Sequence, residues 1–235
     1  CDKIMSDVFK NPPPALSNDY VFDIIKKHYD INPSLTPLVS DRDQNFKITE
    51  EGKSHIFKIA NSAESKSVLE MQNSALNYIS KKDDSIEIPQ PVKTIDGHDI
   101  LSIQITNTKY YARLLTYVDG VFLKDVKPTN GTTFSVGKFL GYLDKGLVGF
   151  DHRAAKRKFI WDVSQVSLLK SNLTKDDFDL ITFFINSFKH DISSLINDFP
   201  KTIIHNDGND HNILLDSWNR VKGIIDFGDM IYSYR

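Results

Sequence analysis

The stretch from Ile203 to Tyr232, IIHNDGNDHNILLDSWNRVKGIIDFGDMIY, constrains this chain more than any other. Two short apolar runs, Asn212 to Leu215 and Val221 to Ile225, read as β-strands joined by a polar turn at Ser217 to Arg220. Polar groups flank both. His205-Asn206-Asp207 precedes the first strand, Asn212 starts it, and Asp226-Phe227-Gly228-Asp229 follows the second. A hairpin brings its outer ends together, so Asp207, Asn212 and Asp226 are expected to converge on one small volume.

Phosphoryl transfer needs that set of groups. One carboxylate, here Asp207, orients the attacking hydroxyl and accepts its proton, while an amide and a second carboxylate, Asn212 and Asp226, hold Mg²⁺ on a nucleoside triphosphate. Hard oxygen ligands, with water and phosphate completing an octahedron, suit Mg²⁺ and suit zinc poorly. Asp229 is placed to support the metal from behind its ligands. His205 reads as a support of the loop through a buried hydrogen bond. Asp210 has two open uses, facing a cationic substrate or capping the strand.

H-x-D-x-x-x-x-N followed by I-D-F-G-D resembles the catalytic core of the aminoglycoside phosphotransferase and choline kinase group. Within it, IIHNDGNDHNILL and GIIDFGDM are most similar to the hydroxylysine kinases and to the phosphotransferase domains that bacteria fuse to class III aminotransferases. The resemblance implies an α+β, two-lobed protein-kinase-like fold and an amino alcohol as the acceptor. It also implies ATP or GTP as phosphoryl donor, and an aminotransferase as a domain to which such a chain can be joined. Gly149 to Arg153 and Trp161-Asp162 share in it.

Upstream, the chain divides by character. Residues 1–15 form a leader ending in Pro12-Pro13-Pro14, 16–118 an N-terminal nucleotide-binding lobe, and 119–235 a C-terminal catalytic lobe. Ser17 is expected to cap a helix running to Tyr29, after which Pro33 and Pro37 break the chain. Phe46 to Thr49 and His55 to Ala60 read as the arms of a hairpin bent at Glu51-Gly52. Asn61-Ser62-Ala63-Glu64 reads as a capping box opening a helix to about Ile79. Strands are expected at Pro91 to Thr94, Ile100 to Thr106 and Tyr110 to Tyr117, with a tight turn at Asp96-Gly97. Beyond Asp119-Gly120 the pattern turns helical. Phe134 to Phe150 is one amphipathic segment. Thr174 to Asp177 caps another, whose Phe178, Ile181, Ile185, Phe188, Ile192 and Leu195 read as core.

The nucleotide site lies in the first of these lobes. Ser40 to Phe46 occupies the turn where kinases place a glycine-rich loop, yet contains no glycine. It is either an ordinary polar turn or a cradle in which Gln44 and Asn45 donate side-chain amide hydrogen bonds. Lys58, on the following strand, is in the place of the lysine that binds the α- and β-phosphates. On the next helix, Glu70 points outward and Gln72 falls in the middle of the apolar arc, so Gln72 is expected to meet Lys58. Arg113 to Gly120 resembles the family's hinge, with the backbone of Leu115 and Tyr117 against the purine.

Composition excludes several classes. Lys and Arg number 29 against 31 Asp and Glu, a net charge of -2 that gives no footprint for nucleic acid. Lys156-Arg157-Lys158 reads as a solvated face. No apolar run approaches the roughly 20 residues of a membrane span. The single cysteine, Cys1, excludes an internal disulfide and fits a cytoplasmic location. A first residue that is not methionine, and an end soon after the hairpin, are read as those of a piece of a longer polypeptide. The main rival to an enzyme is a pseudokinase-like module that holds a ligand without turnover. A protein kinase is disfavoured by the missing glycine loop and by the lack of a basic residue beside Asp207.

Overall fold

A computed structural model describes residues 8, 10–83, 85–166, 178–192 and 194–235. The expected cap at Thr174 to Asp177 and most of the leader's first nine residues lie outside them.

Ser17 accepts a hydrogen bond from the backbone N–H of Tyr20 and starts α1 (Asn18–Tyr29). Its buried residues, Val21, Ile24, Ile25 and Tyr29, lie on one side and pack on Phe46, Ile48, Phe57, Ile59 and Leu114. Those residues come from a six-stranded antiparallel sheet of order β1-β2-β3-β6-β4, with β5 also on β6. The strands are β1 (Ser34–Leu38), β2 (Gln44–Glu50), β3 (Lys53–Ile59), β4 (Pro91–Val92), β5 (Leu101–Ile105) and β6 (Thr108–Thr116). The β2–β3 hairpin bends at Glu51 and Gly52 as the sequence predicts. Pro37 does not break the chain. It sits in β1, at the sheet edge opposite Phe46, where a residue without an N–H is tolerated.

Helix α2 (Lys66–Lys82) begins later than the Asn61 capping box predicts, because Ser65 is the cap that accepts from Val68 N–H. Asn61 instead accepts from Ala63 N–H and turns its amide toward the leader. From α2, Met71, Ala75, Leu76 and Ile79 enter a second core with Phe139, Leu143 and Leu147 of α3 (Asn130–Leu147). The same core takes Ile213 and Leu215 of β9 (Ile213–Leu215), Ile224 of β10 (Val221–Ile224), and Phe227. Thus α2 belongs structurally to both halves.

The hairpin β9–β10 carries β7 (Val121–Phe122) on its β9 edge. Beside it β8 (Lys201–Ile204) pairs with β11 (Ile231–Tyr234). Two glycines allow close approaches here. At Gly120, φ is 154° and a Cβ would stand 3.0 Å from the Leu215 carbonyl oxygen. At Gly223, a Cβ would stand inside contact distance of the Glu87 carbonyl oxygen, where a parallel bridge joins residues 87 and 223.

The expectation of a buried stripe on α4 (Phe178–Ser187) is corrected. Ile185 is buried, whereas Phe178 and Leu195 are about half exposed, at 48% and 53%. After Ser187 the backbone passes into a π-helical turn, Phe188–Ile192, which throws the three-and-four spacing out of register for Leu195, whereas Phe178 is exposed ahead of it. No helix among the described residues is long and apolar enough to cross a membrane.

Candidate active site

Two residues in the left-handed region, Asn206 at φ 66° and Asp226 at φ 60°, set the turns that leave β8 and β10. Such conformations are costly for residues with a Cβ and persist only where neighbours fix them. The neighbour is His205. Its Nδ1 accepts from Asp207 N–H at 3.2 Å and its Nε2 donates to the Ile225 carbonyl at 3.0 Å, while its ring stacks edge-on against Phe227. These bonds define one neutral tautomer, and burial pushes the imidazole pKa down to about 4.

Asp207 is the first of three groups the hairpin gathers. Its Oδ2 accepts from Asn212 Nδ2 at 2.7 Å and its Oδ1 from Asn209 Nδ2 at 2.7 Å, so both oxygens are oriented by amides. Burial raises its pKa, with Asp229 and Asp226 adding repulsion against the amide bonds. Asn212 is buried and uses its nitrogen on Asp207, so its side-chain oxygen is the atom suited to a cation. Ile225 N–H donates to the Asn212 carbonyl at 2.9 Å, tying the start of one strand to the end of the other.

Asp226 is held well below the ordinary carboxylate range, first by Lys58, whose Nζ lies 3.3 Å away, and then by Arg42, against the effect of burial. An ionised carboxylate and an amide oxygen are both hard donors, a set whose chemistry fits Mg²⁺.

Lys58 reaches Asp226 across 168 residues, so the six-stranded sheet touches the end of the hairpin directly. Gln72 is inward, as the helical arc predicts, but its partner is Arg113. Arg113 Nη2 donates to Gln72 Oε1 at 2.5 Å and Nη1 to Asn73 Oδ1 at 2.8 Å. Arg113 lies opposite Lys58 in the β3–β6 ladder and is only 4% exposed, and its guanidinium takes the buried amides while Lys58 turns to the carboxylate.

The amide of Gln44 is also committed elsewhere. Its Nε2 donates to the Leu16 carbonyl and its Oε1 accepts from Leu16 N–H, at 2.8 and 2.9 Å, which fastens the end of the leader to β2. Asn45 stands opposite Lys58 in the β2–β3 register with its side-chain oxygen buried and unpartnered. Leu115 lies within β6 opposite Ile56 and Pro91, and Tyr117 just past the strand end receives Lys47 Nζ 4.0 Å above its ring. Asp210 is exposed at the loop tip and contacts His211 Nδ1 at 3.0 Å.

Asp229 is more enclosed than a supporting residue needs to be. It is 2% exposed, with Oδ1 accepting from Arg42 Nη2 at 2.7 Å and Oδ2 from Trp161 Nε1 at 3.1 Å. Burial raises its pKa and Arg42 only partly offsets this. Arg157, read from sequence as part of a solvated face, donates to the carbonyls of Gly228 (2.6 Å) and Met230 (3.1 Å) and braces this loop. Sequence reasoning gives no role to Arg42 or Asn209 and misplaces Arg157. Asn209 had a local signal, standing two residues from Asp207 in an Asx-rich turn, whereas both arginines act across contacts that no spacing encodes.

Comparison with known proteins agrees with this geometry. Residues 34–235 match the model of the phosphotransferase enzyme family. The chain is 31% identical to hydroxylysine kinase of Xenopus laevis, covering 95% of this chain and 68% of that protein. It is 29% identical to hydroxylysine kinase of Danio rerio, covering 96% and 68%. It therefore spans about two thirds of the length of these relatives. Among solved structures, amicoumacin kinase in complex with AMP-PNP, Ca²⁺ and Ami superposes with a TM-score of 0.72 at 19% identity, covering 93% of this chain and 66% of that one. A microcompartment-associated aminopropanol kinase gives 0.72 at 16% identity, covering 92% and 71%. Together with the α+β kinase-like fold, these matches establish that the chain belongs to the phosphotransferase enzyme family, among its small-molecule kinases.

Proposed function

We propose that this protein transfers the γ-phosphoryl of a nucleoside triphosphate to the hydroxyl of a small amino alcohol of the hydroxylysine type. The observation that carries the proposal is the convergence of Asp207, Asn212 and Asp226 beside Lys58. Asp207, held by Asn209 and Asn212, takes the proton of the acceptor hydroxyl as its oxygen bonds to phosphorus and the bond to the β-phosphate oxygen breaks. Burial and the neighbouring carboxylates raise its pKa, which makes it the stronger base. Lys58 moves its charge from Asp226 to the α- and β-phosphates. Asn212 and Asp226 hold Mg²⁺, which supplies charge neutralisation on the triphosphate when bound. ATP and GTP both fit a purine read by the backbone around Leu115 and Tyr117. The cytoplasm, where such nucleotides are abundant, is the matching location.

The test is nucleotide consumption with Mg²⁺ across hydroxylysine, ethanolamine, choline and aminopropanol. Acceptor-dependent release of nucleoside diphosphate names the substrate class. Absence of turnover with every acceptor, while nucleotide still raises the melting temperature, would replace the enzyme with a ligand-holding module.

A further inference from the structure

A phosphate-binding lysine on a strand needs an acceptor to hold its ammonium in place, and protein kinases take that acceptor from a helix carboxylate. Here α2 does not provide it, because Gln72 and Asn73 give their side-chain oxygens to Arg113. Among the described residues Lys58 hydrogen-bonds one protein group, the Asp226 carboxylate 3.3 Å away. An ammonium carries three donors, so two of them have no protein acceptor.

The complementary group stands across the ladder. Asn45 is directly opposite Lys58 in the β2–β3 register, and such a pair carries its side chains on one face with Cβ atoms about 4.5–5.5 Å apart. The next residues along, Phe46 and Phe57, point the other way, into the core beneath α1. The Asn45 side-chain oxygen is buried and has no hydrogen-bond partner. Leaving a buried acceptor unmade is destabilising, and most such oxygens are paired. A strand gains nothing from asparagine as such, since β-branched and aromatic residues suit it better. A donor with hydrogens to spare thus faces an acceptor with none.

Resting on the phosphotransferase reading above, we propose that Asn45 is the residue that positions Lys58 for the triphosphate. Without nucleotide the ammonium is drawn to Asp226. With nucleotide bound it leaves Asp226 for the α- and β-phosphates and donates one hydrogen to Asn45 Oδ1, which satisfies the orphan acceptor. The neighbouring strand so takes over what a helix carboxylate does elsewhere. Being neutral, the amide leaves the full charge of Lys58 to the phosphates.

Calorimetric binding of ATP with Mg²⁺ to the full chain tests the assignment, in a double-mutant cycle of Asn45→Leu with Lys58→Met. Asn45→Leu is expected to weaken binding about 10-fold, the worth of a hydrogen bond to a charged group, and by less than about twofold once Lys58 is replaced. Equal losses in the two backgrounds would put Asn45 on the nucleotide itself, and no loss in either would leave it idle; each overturns the proposal. Asn45→Asp keeps an oxygen of the same reach and should stay within about threefold of the wild type. A loss as large as that of Asn45→Leu would show that the acceptor is not what counts. Thermal unfolding without nucleotide separates a merely structural asparagine. Removing an unpartnered acceptor should leave the melting temperature unchanged or raised, whereas a fall, or failure to fold, would assign the affinity loss to the fold and overturn the proposal. Lys58→Met with unchanged ATP affinity takes Lys58 off the phosphates and sinks both the proposal and the reading beneath it. Coupling between Asn45 and Lys58 in a protein that phosphorylates no acceptor sinks the kinase reading and keeps the assignment.

Discussion

Asp207 accepts one amide hydrogen bond on each carboxylate oxygen and receives its backbone direction from His205, so its position does not depend on a bound substrate. Asp207→Asn keeps shape and hydrogen bonding but cannot take a proton. We expect turnover to fall by about 10²- to 10⁴-fold with nucleotide affinity nearly unchanged, measured by steady-state kinetics and calorimetry. His205 yields a pH prediction. Its folded pKa, about 4, lies below the ordinary 6.5, so the unfolded chain binds the extra proton first. The stability that depends on neutral His205 is complete above pH 6.5 and is lost as pH falls toward 4, amounting to about 3 kcal/mol at most. Denaturant titrations should show that His205→Gln is less stable at pH 7 and loses less of its remaining stability than the wild type over that range. Parallel pH profiles would reject the buried neutral imidazole.

At the scale of elements, the parallel bridge between residues 87 and 223 depends on the absence of a side chain at Gly223. Gly223→Ala forces the Glu87 backbone away from β10, and overpacking of this kind costs about 1–3 kcal/mol. Thermal unfolding should register it, whereas the same change at Gly137, with open space around its Cβ, should be neutral or stabilising. The elements were legible where a period or a local cap decides them. The α1 cap, the β2–β3 hairpin and the catalytic hairpin all rest on residues within a few positions of each other. The start of α2 was not, because Asn61 and Ser65 both carry capping chemistry and only contacts to Arg42 and the leader draw Asn61 away. Likewise the inward face of Gln72 follows from helical geometry, but its partner comes from β6, 41 residues on, and no periodicity points there.

Across the whole molecule, two cation–carboxylate contacts among the described residues, Lys58 with Asp226 and Arg42 with Asp229, join the six-stranded sheet and the turn before β2 to the segment that follows β10. Nucleotide with Mg²⁺ would bridge the same gap. At 100 times its dissociation constant such a ligand stabilises by about 2.7 kcal/mol. The melting temperature should rise with ATP and Mg²⁺ together and fall back on adding a chelator. Asp226→Ala should lose that metal-dependent rise, and keeping it would remove Asp226 from the metal site.

The amide pairing of Arg113 has a bearing on control. In enzymes whose helix carboxylate holds the phosphate-binding lysine, swinging that helix outward disarms the lysine and offers a switch. Here α2 grips a different cation, buried where an unpaired guanidinium would be costly. Moving α2 outward would thus forfeit core cohesion without unhooking Lys58. The helix α2 therefore offers no cheap off position for Lys58, which is held by Asp226 instead.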